Sequence, residues 1–188
     1  MKILLDTCVL YPTVMREMLV KVAGQGLYTP LWSARILEEW ARAARKIGPT
    51  GEPQARAEIA LLRASFPKAE VTWPPSLERR LYLPDENDIH VLAAAIAGSA
   101  ESIVTLNASD FPKHTLAEEG LERHDPDGFL LGLYMKDPDK VCFAATQVLT
   151  EARRMSDEDW TIRRLLKKAR LPRLAKALAN DLDTPEAG

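Results

Sequence analysis

The chain has 188 residues, 46% of them hydrophobic and 28% charged. That suits one globular domain with room for a helical appendage, and it excludes collagen-like, low-complexity and wholly disordered chains. The 25 Lys and Arg against 27 Asp and Glu leave a formal charge of −2, which taken whole points away from nucleic acid. Cys8, Cys142 and three histidines, with no C-x-x-C and no closely spaced histidine pair, exclude a disulfide framework and argue against a structural zinc. Asp6 comes too early for a signal-peptide core, and the longest nearly apolar run, Val91 to Ala100, is about half a membrane span. Free thiols suit a reducing compartment, so the expectation is a cytoplasmic protein without a membrane partner.

Ile3-Leu4-Leu5 reads as a buried strand, central in a parallel sheet. Pro12 opens a helix with Val14, Met18, Leu19 and Val22 at helical spacing, ended by Gly24 and Gly26. Leu27 to Pro30 is strand-like, and Ser33 caps a helix striped by Ile36, Leu37, Trp40 and Ala44. Gly48 to Pro53 is a break, a helix follows from about Ala55 to Phe66, and Glu70 to Trp73 is a short strand candidate. From Asp85 a helix runs to Gly98, with Asp85 and Asp88 as a capping pair, and Ser102 to Leu106 is another buried strand. Leu121 to His124 adds an edge strand. Beyond Pro126 the pattern is helices only: Gly128 to Met135, Pro138 to Arg153, Trp160 to Arg170 behind a Ser156/Asp159 cap, and Leu171 to Ala179. Strands alternating with helix-length connections mean α/β with a parallel sheet.

In such a sheet, ligands collect beyond the carboxyl ends of the strands. Asp6 ends the first strand, Asn107 and Asp110 follow the Ile103–Leu106 strand, Asp85 and Asp88 open the helix that feeds it, and Glu38 and Glu39 come from the second helix. Gathered carboxylates suit Mg²⁺ or Mn²⁺, hard cations that take oxygen ligands together with water and phosphate. Metal-assisted phosphodiester hydrolysis is the chemistry this points to. No dinucleotide fingerprint, P-loop or G-x-S-x-G elbow is present. Against the functional reading, Asp85 and Asp88 also read as a simple cap, and Glu39 as a solvated helix face. His90 also reads as a core or surface histidine, and Cys8 as a small core residue.

Asp6-Thr7-Cys8-Val9-Leu10 resembles the opening strand and turn of the PIN-domain ribonucleases. Asp85 to Ala95 followed by Ile103-Val104-Thr105-Leu106-Asn107-Ala108-Ser109-Asp110-Phe111-Pro112 resembles that family's second half, and Ser33 to Trp40 its acidic helix. Together these segments span roughly residues 1 to 125. The resemblance implies a three-layer α/β/α fold, residues 1–125, that binds Mg²⁺ or Mn²⁺ and cuts RNA. By size it implies a VapC-type toxin of a type II toxin–antitoxin pair, with a cognate antitoxin and a homodimer. It assigns catalytic acids to Asp6, Glu39 (with Glu38 the fallback), Asp88 and Asp110, since Asn107 stands where the fourth acid is usual. Asp6, Asp88 and Asp110 are then the metal ligands, with Thr105, Asn107, Glu38 and Asp85 in support. Asn107 also keeps open a PIN-like module that binds RNA or protein without cutting, and the same acids would serve a phosphatase or DNA nuclease.

Residues 126–180 are expected to form a helical extension and 181–188 a frayed tail. From Glu151 to Lys176 nine bases face four acids. Such a run is either a solvated helix face or a contact for RNA phosphates, with Arg163, Arg164, Lys167 and Lys168 as the candidates. The bulk charge is therefore a sum of opposing regions.

Overall fold

A computed structural model describes residues 1–182; most of the expected tail, 183–188, lies outside the described residues. In chain order the elements are β1 (Lys2–Leu5), α1 (Thr7–Leu10), α2 (Thr13–Gly24), β2 (Thr29–Leu31), α3 (Ala34–Ala43), α4 (Gly51–Ser65), α5 (Pro75–Arg79) and α6 (Ile89–Ala97). They continue with β3 (Ser102–Val104), α7 (Lys113–Glu118), β4 (Glu122–His124), α8 (Pro126–Lys136), α9 (Pro138–Met155), α10 (Ile162–Lys168) and α11 (Pro172–Leu182). No described helix is long and apolar enough to cross a membrane. The described residues form two compact units, one of residues 1–11 and 28–124, the other of residues 12–27 and those from 125 on.

The first unit is built on a parallel sheet ordered β2-β1-β3-β4. β1 lies between β2 and β3, and Ile3, Leu4 and Leu5 are fully buried, which is why its apolar run is continuous rather than alternating. The register sets Leu4 opposite Leu31 on one side and Ile103 on the other. The chain leaves β1 for a neighbour on one side and later returns to the other side. The carboxyl ends of β1 and β3 are thus the sheet's topological switch point, where open α/β sheets leave a crevice. The Val91–Ala95 face of α6 and the Ile36, Leu37, Trp40 stripe of α3 complete this core. Trp32 and Trp40 are buried packing residues.

Two expectations are corrected. Glu70–Trp73 makes only a bridge to Trp32, through the Trp32 and Val71 amides, because Pro74 and Pro75 follow at once and have no N–H to extend a ladder. Ser156 does not cap the helix after it. Its hydroxyl donates to the Ala152 carbonyl and accepts from the Trp160 indole, so α10 starts two residues later than Trp160, capped by Thr161 accepting from the Arg164 amide at 3.2 Å. The break after Gly48 is shorter than expected, since α4 already starts at Gly51, where a Cβ would sit 2.1 Å from the Ala44 carbonyl oxygen.

The second unit is helical. α2 packs on α9, α8 on α9 and α11, and α10 on α11, around Met18, Val22, Leu130, Val141, Leu166 and Leu174. The one buried acid among its described residues, Asp127, accepts from the Leu174 amide (2.9 Å), the Arg173 amide (3.0 Å) and Arg173 Nε (3.2 Å). It therefore caps α11 from another helix.

Candidate functional site

Asp6 follows the last residue of β1 and is 4% exposed. It stands just before α1, yet its side chain caps no helix amide. Its Oδ2 instead accepts from Thr105 Oγ1 at 2.7 Å and from the Cys8 thiol at 3.1 Å. Thr105 comes directly after β3, and its hydroxyl also receives the Asn107 amide at 3.0 Å. The adjoining ends of β1 and β3 are thereby tied through one carboxylate. Cys8 Sγ also receives the Leu106 amide at 3.2 Å. Burial, and then the Asp6 charge, push the thiol up to about 12, which keeps Cys8 in its thiol form as a hydrogen-bonding residue of this strand-end cluster.

Asp88 is the residue before α6, and it too makes no capping bond. The capping is done by Asp85, which accepts the Asn87 amide at 2.9 Å over the short Glu86–Asp88 turn. Burial first, then the carboxylates of Asp6, Asp110 and Asp85, push Asp88 up to about 6, with His90 opposing. Asp88 therefore shares one field with the acids at the ends of β1 and β3. Asp110 closes a turn through its amide to the Asn107 carbonyl and accepts from Ser109 Oγ at 3.2 Å. Asn107 is exposed.

Glu39 and Glu38 diverge although adjacent. Glu39 Oε2 accepts from Thr7 Oγ1 at 3.0 Å, and its Oε1 from Arg35 Nε at 3.2 Å and His90 Nε2 at 3.0 Å. Burial works against its charge. The His90 hydrogen bond and charge, then Thr7 and Arg35, outweigh it and hold Glu39 below the usual carboxylate range. Glu38 turns instead to Arg42 (3.0 Å) and Arg56 (2.9 Å), whose hydrogen bonds hold it at about 2. The geometry thus ties Glu39 to α6 and α1, and Glu38 to a surface arginine network. His90 is 1% exposed. The sequence marks it as a core or surface histidine, with no hint of its bond to Glu39. Thr7 and Arg35 are not singled out there, their only signals being a threonine next to Asp6 and an arginine one turn before Glu39.

All these oxygens are hard donors, so the donor chemistry fits Mg²⁺ or Mn²⁺, and burial together with the neighbouring carboxylates raises Asp88. Among the described residues, however, no three His, Cys, Asp or Glu side chains stand together as a ready ligand shell. Arg163, Arg164, Lys167 and Lys168 are exposed on α10, in the helical unit.

Neither the curated proteins nor the solved structures contain a relative that matches this chain. A family model does match, described as PIN domain, over residues 2–109. It covers more than half of the chain and takes in Asp6, Glu39, Asp88, Thr105 and Asn107, while Asp110 falls one residue beyond it. With its parallel sheet and acidic switch point, the chain belongs to the PIN domain family, whose members are generally nucleases.

Proposed function

We propose that this chain is a Mg²⁺- or Mn²⁺-dependent endoribonuclease, acting in the cytoplasm as the toxin of a type II toxin–antitoxin pair. Asp6 carries the reading. It is a buried carboxylate whose partners among the described residues are a hydroxyl and a thiol, not a cation. A buried charge in that state is destabilising until something from outside meets it. Asp6, Asp88 and Asp110 would hold the ion, which when bound supplies a water of lowered pKa and offsets charge at the phosphate. Thr105 orients Asp6, and Asn107 and Asp85 shape the rim. Glu39, clamped by three donors and held charged, orients the attacking water, and Glu38 steadies α3 beside it.

On α10, Lys168 Nζ and the Arg164 guanidinium lie 4.8 and 5.4 Å from the Trp160 ring centroid. With Arg163 and Lys167 they offer fixed positive charge to RNA phosphates. The cognate antitoxin and a homodimer rest on the resemblance to VapC-type toxins.

Asp6→Asn should lower RNA cleavage ~100-fold or more with the thermal melt retained, and EDTA should do the same to the unaltered chain. Full cleavage by D6N, or full cleavage in EDTA, overturns the mechanism. A second reading, a PIN-like module that binds without cutting, draws on the lack of a ready three-residue ligand shell. Calorimetric titration with Mn²⁺ separates the two, since a non-catalytic module should show no tight site.

A further inference from the structure

Arg123 lies in the edge strand β4, opposite Ile103 of β3. Its Nε is buried and meets no acceptor among the described residues. A buried guanidinium N–H without an acceptor is destabilising, and such groups are usually answered by water or an ion. Arg123 also lines a cavity of about 390 Å³, within the range of small-ligand sites. Its walls are chemically divided. Lys113 and Arg123 supply positive charge, while the exposed Ala117 supplies apolar surface backed by the buried Leu116 and Leu121. The acid at this cavity, Glu122, is 76% exposed, with its carboxylate 3.6 Å from His124 Nε2.

One lining residue, His124, is tied by its backbone to the acidic switch point. The His124 carbonyl accepts the Thr105 amide at 3.1 Å, and the Thr105 hydroxyl holds Asp6. Lys113, on the other wall, stands three residues after Asp110.

We propose that this cavity is a nucleotide subsite of the nuclease. The phosphate of one RNA nucleotide lies between Lys113 and Arg123, and its sugar and base lie over Leu116, Ala117 and Leu121. The subsite holds the strand beside the carboxylates, so it sets substrate affinity and not the chemical step. Its role as a substrate subsite rests on the ribonuclease reading above.

The test uses the full chain in EDTA, titrated calorimetrically with adenosine 5′-monophosphate, adenosine and inorganic phosphate, together with steady-state RNA cleavage in Mn²⁺. The monophosphate should bind more tightly than either fragment, and Lys113→Ala should weaken it about tenfold, the loss of one charge-assisted contact. Binding of adenosine should not change, and KM for RNA should rise with kcat retained. Arg123→Ala should act likewise. Because that side chain is partly buried, the exposed Lys113 carries the test if R123A fails to fold. Inorganic phosphate binding as tightly as the monophosphate would reduce the cavity to a simple anion site and overturn the proposal. So would K113A with unchanged monophosphate affinity and unchanged KM in a chain that cuts RNA, and there the nuclease reading survives. Phosphate-dependent nucleotide binding by a chain that cuts no RNA overturns the nuclease reading instead and leaves the nucleotide site standing.

Discussion

Two buried aspartates, one in each compact unit, have opposite surroundings. Asp127 in the helical unit is met by two backbone amides at the start of α11 and by the Arg173 guanidinium, so its charge is answered within the fold. Asp6 in the sheet unit has a hydroxyl and a thiol, and its neighbour in the field, Asp88, is pushed up rather than down. Helix α3 carries two answered acids of different kinds: Glu38 is met by Arg42 and Arg56 at the surface, and Glu39 by Arg35 and the buried His90 of α6. Burial of an acid therefore says little by itself. What separates architecture from a site is whether the protein supplies the opposite charge.

The sharpest break of that comparison is Asp127→Ala. It leaves two amides and a guanidinium without their acceptor, and the expected loss is about 3 kcal/mol, read as a drop in the urea midpoint. Cleavage per folded molecule should stay unchanged. A variant that melts like the unaltered chain would mean that Asp127 is no keystone of the helical unit.

Much of the site was legible because it follows strand ends. An apolar tripeptide closing on Asp6, and a β-branched run closing on Thr105 and Asn107, place their polar residues at the same edge of any parallel sheet. The parallel sheet itself followed from the alternation of strand and helix patterns. Asp88 was ambiguous, since an acid at a helix start is equally a cap. Only the geometry shows Asp85 taking the amide and Asp88 taking none. The clamp on Glu39 was invisible, because Thr7 and His90 reach it across 32 and 51 positions of chain, and no period encodes that meeting. For the same reason the sequence did not reveal that α2 is grouped with the helices beyond Asp125. Met18 and Val22 mark an apolar face without naming its partner.

His90 offers a finer probe of the contrast between the two glutamates. If its Nε2 orients Glu39 for the reaction, His90→Ala should lower kcat about tenfold with KM unchanged, the effect of a loosened group at a reacting centre. His90→Gln, whose side-chain amide can donate to the same carboxylate, should recover part of the rate. Equal kcat in the Ala and Gln variants, both folded, would reduce His90 to a core residue.

The smallest effect tests the field at the sheet's edge through stability alone, in EDTA and without substrate. Asp88 sits near 6 in the folded chain against an ordinary 3.8. Between those values the folded state holds a proton that the unfolded state has released, so the folded state loses stability as pH rises from about 4 to above 6. A shift of that size corresponds to about 3 kcal/mol at most, and solvent screening of a half-exposed carboxyl brings it to about 1 kcal/mol. Asp88→Asn removes the titrating group and gives up no capping bond. The variant should match the unaltered chain near pH 4 and exceed it by about 1 kcal/mol at pH 7, even though cleavage is lost. Mn²⁺ should narrow the gap at pH 7 by stabilising the unaltered chain more than the variant, because the ion supplies the charge that the fold withholds from these carboxylates. A variant no more stable than the unaltered chain at pH 7 would show that the Asp88 charge is met from within the protein after all, as that of Asp127 is.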